Sequence, residues 1–247
     1  MKKRVDDFIA LAVCLGAAAF LCGCASVLPN PLFPRSAWSI PHADTPESGK
    51  QLDIPRYTDG EHDGQPFFYY TTAKQREKQL GLSAPELSDD ETLLRIWWTI
   101  QSGLRQPGRL LEFVKNDGQW SGRVFDYKMA FDTWKFHENV YDVKRREFVP
   151  ASDWDTLDRL LAEYEIPALP ACDFVEDYDR SLAEICKENP HTILSTFSVE
   201  YATPEIYRFY EYTSPGLIRG KIREAELFSA FLEKIGEFDK ILTPYIQ

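Results

Sequence analysis

Histidine is the usual general base for a serine or cysteine nucleophile, and two histidines, His137 and His191, fall in the segment that should fold. Neither belongs to a nucleophile elbow, an SxxK motif, an HExxH helix or a paired-histidine metal spacing. His191 directly follows Pro190, which favours a solvated loop. The sequence therefore predicts no catalytic triad and no metal site at either histidine.

Carboxylates are concentrated in the stretch CDFVEDYD, which contains Asp173, Glu176, Asp177 and Asp179. Two carboxylates at the right separation can hydrolyse a glycosidic bond, and an acidic cluster can also hold a cation. Acidic residues before a helix are equally favoured by the helix dipole without doing any chemistry. A solvated acidic cluster is the preferred interpretation, and hydrolysis by these carboxylates is the alternative.

The stretch DGEHDG resembles half of a calcium-binding loop. Asp59, Glu61 and Asp63 occupy its first, third and fifth positions and Gly64 its sixth, but Tyr70 stands where the bidentate glutamate is needed. We predict a polar turn and no metal. The sequence also lacks a glycine-rich phosphate loop, so no nucleotide or other cofactor is expected.

Aromatic residues make up 14 % of the chain, and Trp97, Trp98 and Trp120 lie in stretches that resemble strands. Such side chains can form a sugar- or peptide-binding surface. They are also the residues that any sheet prefers, so most of them are expected in the core.

These candidate groups must be positioned by strands and helices. The stretch ETLLRIWWTI places Leu94, Ile96, Trp98 and Ile100 on one face, as in a strand. Two β-rich runs meet at Asn116-Asp117-Gly118, which predicts a hairpin, and KFHENVYDV is a candidate further strand. Helices are expected within 150–167, at 179–188 and within 221–241. The predicted class is α+β, an antiparallel sheet of hairpins with two or three helices packed on one face.

A second hairpin is predicted around Thr203-Pro204-Glu205. With a five-residue loop, Ala202 to Ile206, strand pairing would place Tyr201 opposite Tyr207, Glu200 opposite Arg208 and Val199 opposite Phe209. A four-residue loop would instead put Arg208 among apolar side chains, which a half-buried sheet resists.

The five-residue loop leads to a prediction about partner binding. It leaves Arg208, Tyr210 and Tyr212, with Glu200 beside them, on the open face of the sheet. Tyrosine and arginine are enriched at binding hot spots. We therefore expect these four residues to form the recognition surface.

Net charge narrows the possible partners. The chain of 247 residues is 44 % hydrophobic and carries a formal net charge of −11 with a pI near 4.9. An acidic excess of this size argues against nucleic acid as a partner, since nucleic-acid binding needs a basic surface. It also argues against adhesion to anionic lipid through a basic patch.

The N-terminal residues have the features of a targeting signal. A basic start at Lys2, Lys3 and Arg4 precedes an apolar run of 14 residues, Phe8 to Leu21, which is too short to span a bilayer comfortably. The run ends in Leu21-Cys22-Gly23-Cys24, which resembles the lipobox of bacterial lipoproteins. This resemblance covers only the first 24 residues or so. It implies that Cys24 carries the lipid, palmitate included, and that the signal peptide 1–23 is removed.

The resemblance also implies a location. In Gram-negative lipoproteins an Asp after the lipidated Cys retains the protein at the inner membrane, whereas this chain has Ala25, which implies the outer membrane. Seven of the 16 prolines lie between Ala25 and Pro66, so 24–66 is predicted to be an extended tether and 67–247 a single domain. The mature chain would carry −12, because residues 1–23 carry a net +1.

In an oxidising envelope, the remaining cysteines could form a disulfide. Cys172 and Cys186 would be the only thiols left beside the lipidated one, and disulfides persist outside the cytoplasm. A loop of this size would gain about 3 kcal/mol on closure. We hypothesise a disulfide between them, and a pair of buried free thiols is the alternative.

Taken together, these features favour a lipid-anchored envelope protein, periplasmic or exposed, that does no chemistry and binds another envelope protein or a glycan. An envelope hydrolase using the 173–179 carboxylates is the alternative. A deep pocket where two of those carboxylates converge would favour the enzyme, and a shallow aromatic-lined surface would favour the binding protein.

Overall fold

The computed structural model describes residues 50–56, 64, 66, 68–87, 91–100, 105–132, 137–148 and 154–236. In chain order the regular elements are β1 (Gln51–Asp53), α1 (Phe68–Leu80), β2 (Thr92–Ile100), β3 (Arg105–Asn116), β4 (Gln119–Asp132), β5 (His137–Glu147), α2 (Leu157–Glu163), α3 (Tyr178–Glu188), β6 (Ser195–Ala202), β7 (Ile206–Thr213) and α4 (Arg223–Lys234).

The seven strands form one mixed sheet in the order β1-β7-β6-β2-β3-β4-β5. β1 runs parallel to β7, and the other neighbouring pairs are antiparallel. The sheet is therefore mostly antiparallel, and the chain has the predicted α+β class. Since β5 is the last strand of this order, one of its sides has no neighbouring strand within the described residues.

The central hairpin forms as the sequence predicted. β3 and β4 pair along their length, with Asn116 opposite Gln119. Asp117 and Gly118 between them have φ values of 51° and 78°, the left-handed backbone that glycine adopts without strain. β2 packs beside this hairpin with Leu94 and Ile96 fully buried on one face and Trp97 on the other.

Three helices pack on one face of the sheet, at the positions that the sequence indicated. Leu160 of α2, Leu182 of α3 and Phe228 of α4 share a core with apolar side chains of β2 and β6. The α4 stripe is continued by Phe231 in the same core.

The opposite face is covered as well, which the sequence did not predict. Tyr70 and Ala73 of α1 share a second core with Trp97, Tyr207 and Phe209. The prediction of helices on one face is therefore corrected to three helices on one face and α1 on the other.

The first strand lies inside the segment that was predicted to be a tether. Gln51 pairs with Ile206 and Asp53 with Arg208, while Ile54 is buried in the α1-side core. The sheet thus begins before the predicted boundary at Pro66. Cys24, the signal peptide and most of the DGEHDG stretch lie outside the described residues.

Candidate functional site

The late hairpin differs from its predicted register by one residue. Tyr201 lies opposite Arg208 and Val199 opposite Tyr210, so the connection is one residue shorter than predicted. Thr203 explains the shorter loop. Its N–H donates to the carbonyl of Ile206 at 2.8 Å, and its hydroxyl accepts from the N–H groups of Glu205 and Ile206 at 3.2 Å.

The shift places the predicted recognition residues in the interior. Tyr210 and Tyr212 are 1 % and 0 % exposed, and Tyr212 stacks on Phe228 of α4 with ring centroids 5.3 Å apart. Their hydroxyls donate to the carbonyls of Ile166 and Pro170 at 2.8 and 2.7 Å. The prediction of an exposed recognition surface at these tyrosines is wrong, because both are core residues whose hydroxyls have internal partners.

Arg208 is accommodated on the apolar face because it lies near the sheet edge with acceptors around it. Its guanidinium pairs with Asp53 of β1 at 2.5 Å and donates to the carbonyls of Pro167 and Leu169. β1, which the sequence did not predict, thus supplies the carboxylate that permits this register. Glu200, the fourth predicted residue, is fully buried on the other face.

Glu200 belongs to an ionic network enclosed between α1 and the sheet. Four carboxylates meet three cations there: Glu77, Glu86, Glu112 and Glu200 with Lys74, Arg95 and Arg123. The ammonium of Lys74 lies 2.8 Å from Glu77 and from Glu86 and 3.1 Å from Glu200. The Tyr207 hydroxyl donates to Glu200 at 3.1 Å.

Arg95 lies at the centre of this network. Its guanidinium donates to Glu77 at 2.7 Å and to Glu112 at 2.9 Å, and it lies 3.5 Å from Glu200. Burial and the neighbouring Glu200 raise the pKa of Glu77, against the opposing effects of Lys74 and Arg95. Around Arg95 the charges are buried and paired, which is typical of a structural network, whereas Arg123 reaches the surface at its edge.

The predicted acidic cluster is divided between different partners. The Asp173 carboxylate accepts a hydrogen bond from the Tyr69 hydroxyl at 3.1 Å, and burial raises its pKa. Asp177 pairs with Arg180, and Asp179 lies exposed in the first turn of α3. Neither of the two cavities described below is lined by residues 173–179. Neither of these two cavities therefore supports the hydrolase alternative.

The two cysteines are not bonded to each other. Cys172 is buried, its Sγ 3.9 Å from the Asp173 carboxylate, and burial raises its pKa well above the usual range. Cys186 is half-buried on α3. It lies about two turns after Tyr178, which is about 12 Å along the helix axis. The disulfide hypothesis is not met in this structure, because Cys172 and Cys186 are not bonded to each other.

His191 is exposed in a turn, as expected for a solvated histidine. Among the described residues, no group of three or more His, Cys, Asp or Glu side chains is arranged to hold a metal ion. No helix of the described part is long and apolar enough to cross a membrane.

The cavity that combines charge and apolar surface lies at the other end of the sheet. A cleft of about 640 Å³ opens where β4 begins and β5 ends. Its lining includes three arginines and three aromatic residues: Arg123, Arg145, Arg146, Trp120, Phe148 and Trp154. We call this cavity the arginine cleft.

The three arginines of the cleft differ in whether a carboxylate lies close to the guanidinium group. Arg123 already donates to Glu112 of the buried network. Arg146 lies 3.9 Å from Asp126, the limit of an ion pair. Arg145 stacks its guanidinium 5.6 Å from the ring centroid of Phe125, and within the described residues it has no carboxylate partner. Glu147, which lies opposite Arg123 in the β4–β5 pair, lines the cleft as well. Within the described residues, the positive charge of the cleft that has no carboxylate partner is therefore that of Arg145.

The aromatic wall is held rigidly. Phe148 and Trp154 pack edge to face with Phe113, with centroid distances of 4.9 and 6.1 Å. Gly122 permits this packing, since a Cβ there would lie 2.6 Å from the Trp154 ring. The Trp120 indole donates to Asp158 at 3.0 Å, which fixes its orientation.

A smaller cavity lies on the α1 side of Arg123. Its volume is about 300 Å³, and Glu91 and Glu112 are among its lining residues. This cavity has two carboxylates and one arginine in its lining, whereas the arginine cleft has three arginines and one carboxylate, Glu147.

Sequence reasoning missed the arginine cleft, although one signal was present. Lys144-Arg145-Arg146 is a run of three cations in a chain of net charge −11, directly after the candidate strand KFHENVYDV. Its proximity to Trp120 and Trp154 depends on β4–β5 pairing and on the connection to α2, which the spacing of residues does not reveal.

No protein-family model, curated protein or solved structure matches this chain.

Proposed function

We propose that this protein is a lipid-anchored cell-envelope binding protein that captures an anionic ligand in the arginine cleft and does no chemistry. Its anchor would be lipid on Cys24, followed by a tether shorter than 24–66. Its location would be the outer membrane of a Gram-negative bacterium. The ligand would be a carboxylate- or phosphate-bearing group of another envelope protein or glycan.

The observation that carries the proposal is the concentration of Arg145 and Arg146 beside Trp120 and Trp154 in one cleft. The volume of about 640 Å³ lies within the range of ligand-binding pockets. Guanidinium groups bind carboxylate and phosphate through paired hydrogen bonds, and tryptophan faces add apolar contact. Because the protein is acidic overall, most of its surface repels anions, and an anion would bind where the local charge is positive.

The lipid anchor is supported by the sequence alone. Leu21-Cys22-Gly23-Cys24 and the charged, apolar leader before it fit a lipoprotein signal. A tethered domain facing envelope polymers would meet immobile, anionic ligands, for which a shallow charged cleft suffices.

An anionic aromatic dye tests the binding site. We expect 8-anilino-1-naphthalenesulfonate to bind the mature domain with a dissociation constant of about 10–100 μM, which we would measure by dye fluorescence. The paired change Arg145→Gln, Arg146→Gln should weaken binding by about tenfold or more, and added salt should weaken it in the unaltered protein.

A matched pair of arginines supplies the control. Arg159 and Arg180 are exposed on α2 and α3, with side chains 66 % and 68 % accessible, so Arg159→Gln, Arg180→Gln removes the same charge elsewhere. This control should leave dye binding unchanged. Equal loss of binding in both double variants would show that only overall charge matters and would refute the cleft as the site.

A further inference from the structure

The outer edge of β5 is closed along its first half by a side chain. Gln79 of α1 donates its amide N–H to the Glu138 carbonyl at 2.7 Å and accepts from the Val140 N–H at 2.7 Å. These are the bonds that a neighbouring strand would make. They identify Glu138 and Val140 as residues whose backbone groups point away from β4.

A bulge then changes which residues point outward. Tyr141 pairs with Lys128 but Lys144 pairs with Asp126, so β5 has one extra residue between these pairs, and Asp142 there has a φ of 53°. Beyond the bulge, the N–H of Phe148 donates inward to the carbonyl of Gly122 at 2.9 Å.

Because outward and inward backbone groups alternate along a strand, the inward bond of Phe148 leaves Arg145 and Glu147 pointing outward. Within the described residues, these backbone groups have no strand beside them. Among the described residues, the second half of β5 is therefore an open edge that can accept a further strand.

The arginine cleft wraps around this open edge. Arg145 lies beside Phe125 on the α1 side of the sheet, whereas Arg146 pairs across from Val124, whose side chain lies in the opposite core. Both arginines line the same cleft. A ligand that contacts both must therefore lie along the edge of β5 and not on one face of the sheet.

The edge also exposes apolar surface. Tyr141 and Val143 are 38 % and 47 % exposed, among the few large apolar side chains that are exposed in the described part of the chain. Side chains of an added strand would cover them, as happens when a peptide extends a sheet.

We infer that the arginine cleft and the open edge of β5 together bind an extended, acidic peptide segment of a partner protein, which adds to the sheet as an eighth strand. Its backbone would pair with Arg145 and Glu147, and its carboxylates would meet the guanidinium groups of Arg145 and Arg146. The inference rests on the proposed function and specifies its ligand.

Charge selects this occupant over a second copy of the chain. An antiparallel pair of β5 edges centred on Arg145 would place Arg145 opposite Arg145 and Lys144 opposite Arg146. A pair centred on Arg146 would place Arg145 opposite Glu147 but Arg146 opposite Arg146, and like charges across a strand pair are destabilising. An acidic segment meets the same cations with opposite charge.

A proline variant tests strand addition separately from charge. Proline is tolerated on an edge strand when its nitrogen faces outward, so Glu147→Pro removes one outward N–H, and Glu147→Ala removes the same carboxylate but keeps that N–H. The probe is heptaglutamate, acetylated and amidated, titrated by calorimetry. We expect Glu147→Ala to bind it at least as well as the unaltered protein and Glu147→Pro to bind it at least about tenfold more weakly.

A second measurement keeps the test valid if the proline variant misfolds. Heptaglutamate methylated at every backbone nitrogen has the same charge but no N–H donors, and it should bind the unaltered protein at least about tenfold more weakly than the parent peptide. Equal affinity of the two peptides would overturn strand addition, as would absence of heptaglutamate binding to a protein that binds the dye. If the unaltered protein binds neither the dye nor heptaglutamate, the proposed function itself is overturned.

Discussion

Glu211 is a buried carboxyl on β7 that shows how a single residue sets a pH dependence. The Oε2 atom of Glu211 accepts a hydrogen bond from the Ser198 hydroxyl at 2.9 Å, and Glu211 is only 9 % exposed. Burial, with a smaller contribution from the nearby Asp173, raises the pKa of Glu211 to about 8 against the opposing effects of Ser198 and Arg76. The folded protein therefore holds this proton at neutral pH.

The consequence for stability has a definite sign. Between about pH 4.5 and pH 8 the folded state binds a proton at Glu211 that the unfolded state has released. The free energy of unfolding should therefore be highest below this window and fall as the pH rises through it, by a contribution on the order of 5 kcal/mol.

We predict that Glu211→Gln removes this contribution, because the amide cannot ionise and can still accept from Ser198. Urea unfolding at pH 5 and pH 9 should show a smaller loss of stability in Glu211→Gln than in the unaltered protein, with the variant the more stable of the two at pH 9. Parallel pH profiles for the two proteins would contradict the assignment.

At the scale of elements, α1 and the sheet are joined by charges as well as by apolar contact. Arg95 of β2 is fully buried between Glu77 of α1, Glu112 of β3 and Glu200 of β6. Removing the cation of a buried ion pair leaves carboxylates without compensation, which costs more than losing an exposed pair.

We expect Arg95→Met to lower the free energy of unfolding by about 3–5 kcal/mol, since it leaves the four carboxylates of the network with two cations, Lys74 and Arg123. Arg159→Met, which breaks the exposed pair with Glu163, should lower it by less than about 1 kcal/mol. Chemical denaturation of both variants measures the difference, and similar losses would contradict a buried network.

The same buried network explains why α1 was not predicted from the sequence although other elements were. β2, the β3–β4 hairpin and the three helices of one face carry apolar residues at regular spacing, and they were predicted. The buried side of α1 includes Lys74 and Glu77, so its periodicity is not apolar and the helix was missed. Burial of ions in pairs is invisible to a hydrophobic pattern.

The register of the late hairpin was missed for a related reason. The argument that Arg208 resists an apolar face assumed no acceptor nearby, but β1 brings Asp53 beside it. The contact spans most of the chain length, so local spacing could not reveal it. The arginine cleft likewise depends on β5 pairing with β4 and on Trp154 packing over Gly122.

At the scale of the whole molecule, the proposal joins a lipid at Cys24 to a binding edge at β5. We predict that the membrane-extracted protein lacks residues 1–23 and carries a lipid-sized mass on Cys24, as measured by intact-mass spectrometry. A Cys24→Ala variant should leave the membrane fraction, and its continued presence there would contradict lipid anchoring. Cys22→Ala is the control, because the signal peptide that contains it is expected to be removed.

Hydrogen exchange of the mature domain with and without heptaglutamate would locate the peptide on the sheet. We predict slower exchange in peptides covering 143–148, where Arg145 and Glu147 gain strand partners, and unchanged exchange in the β6–β7 hairpin. Protection centred on the β6–β7 hairpin or on 173–179, or no protection at a saturating peptide concentration, would contradict binding at the edge of β5.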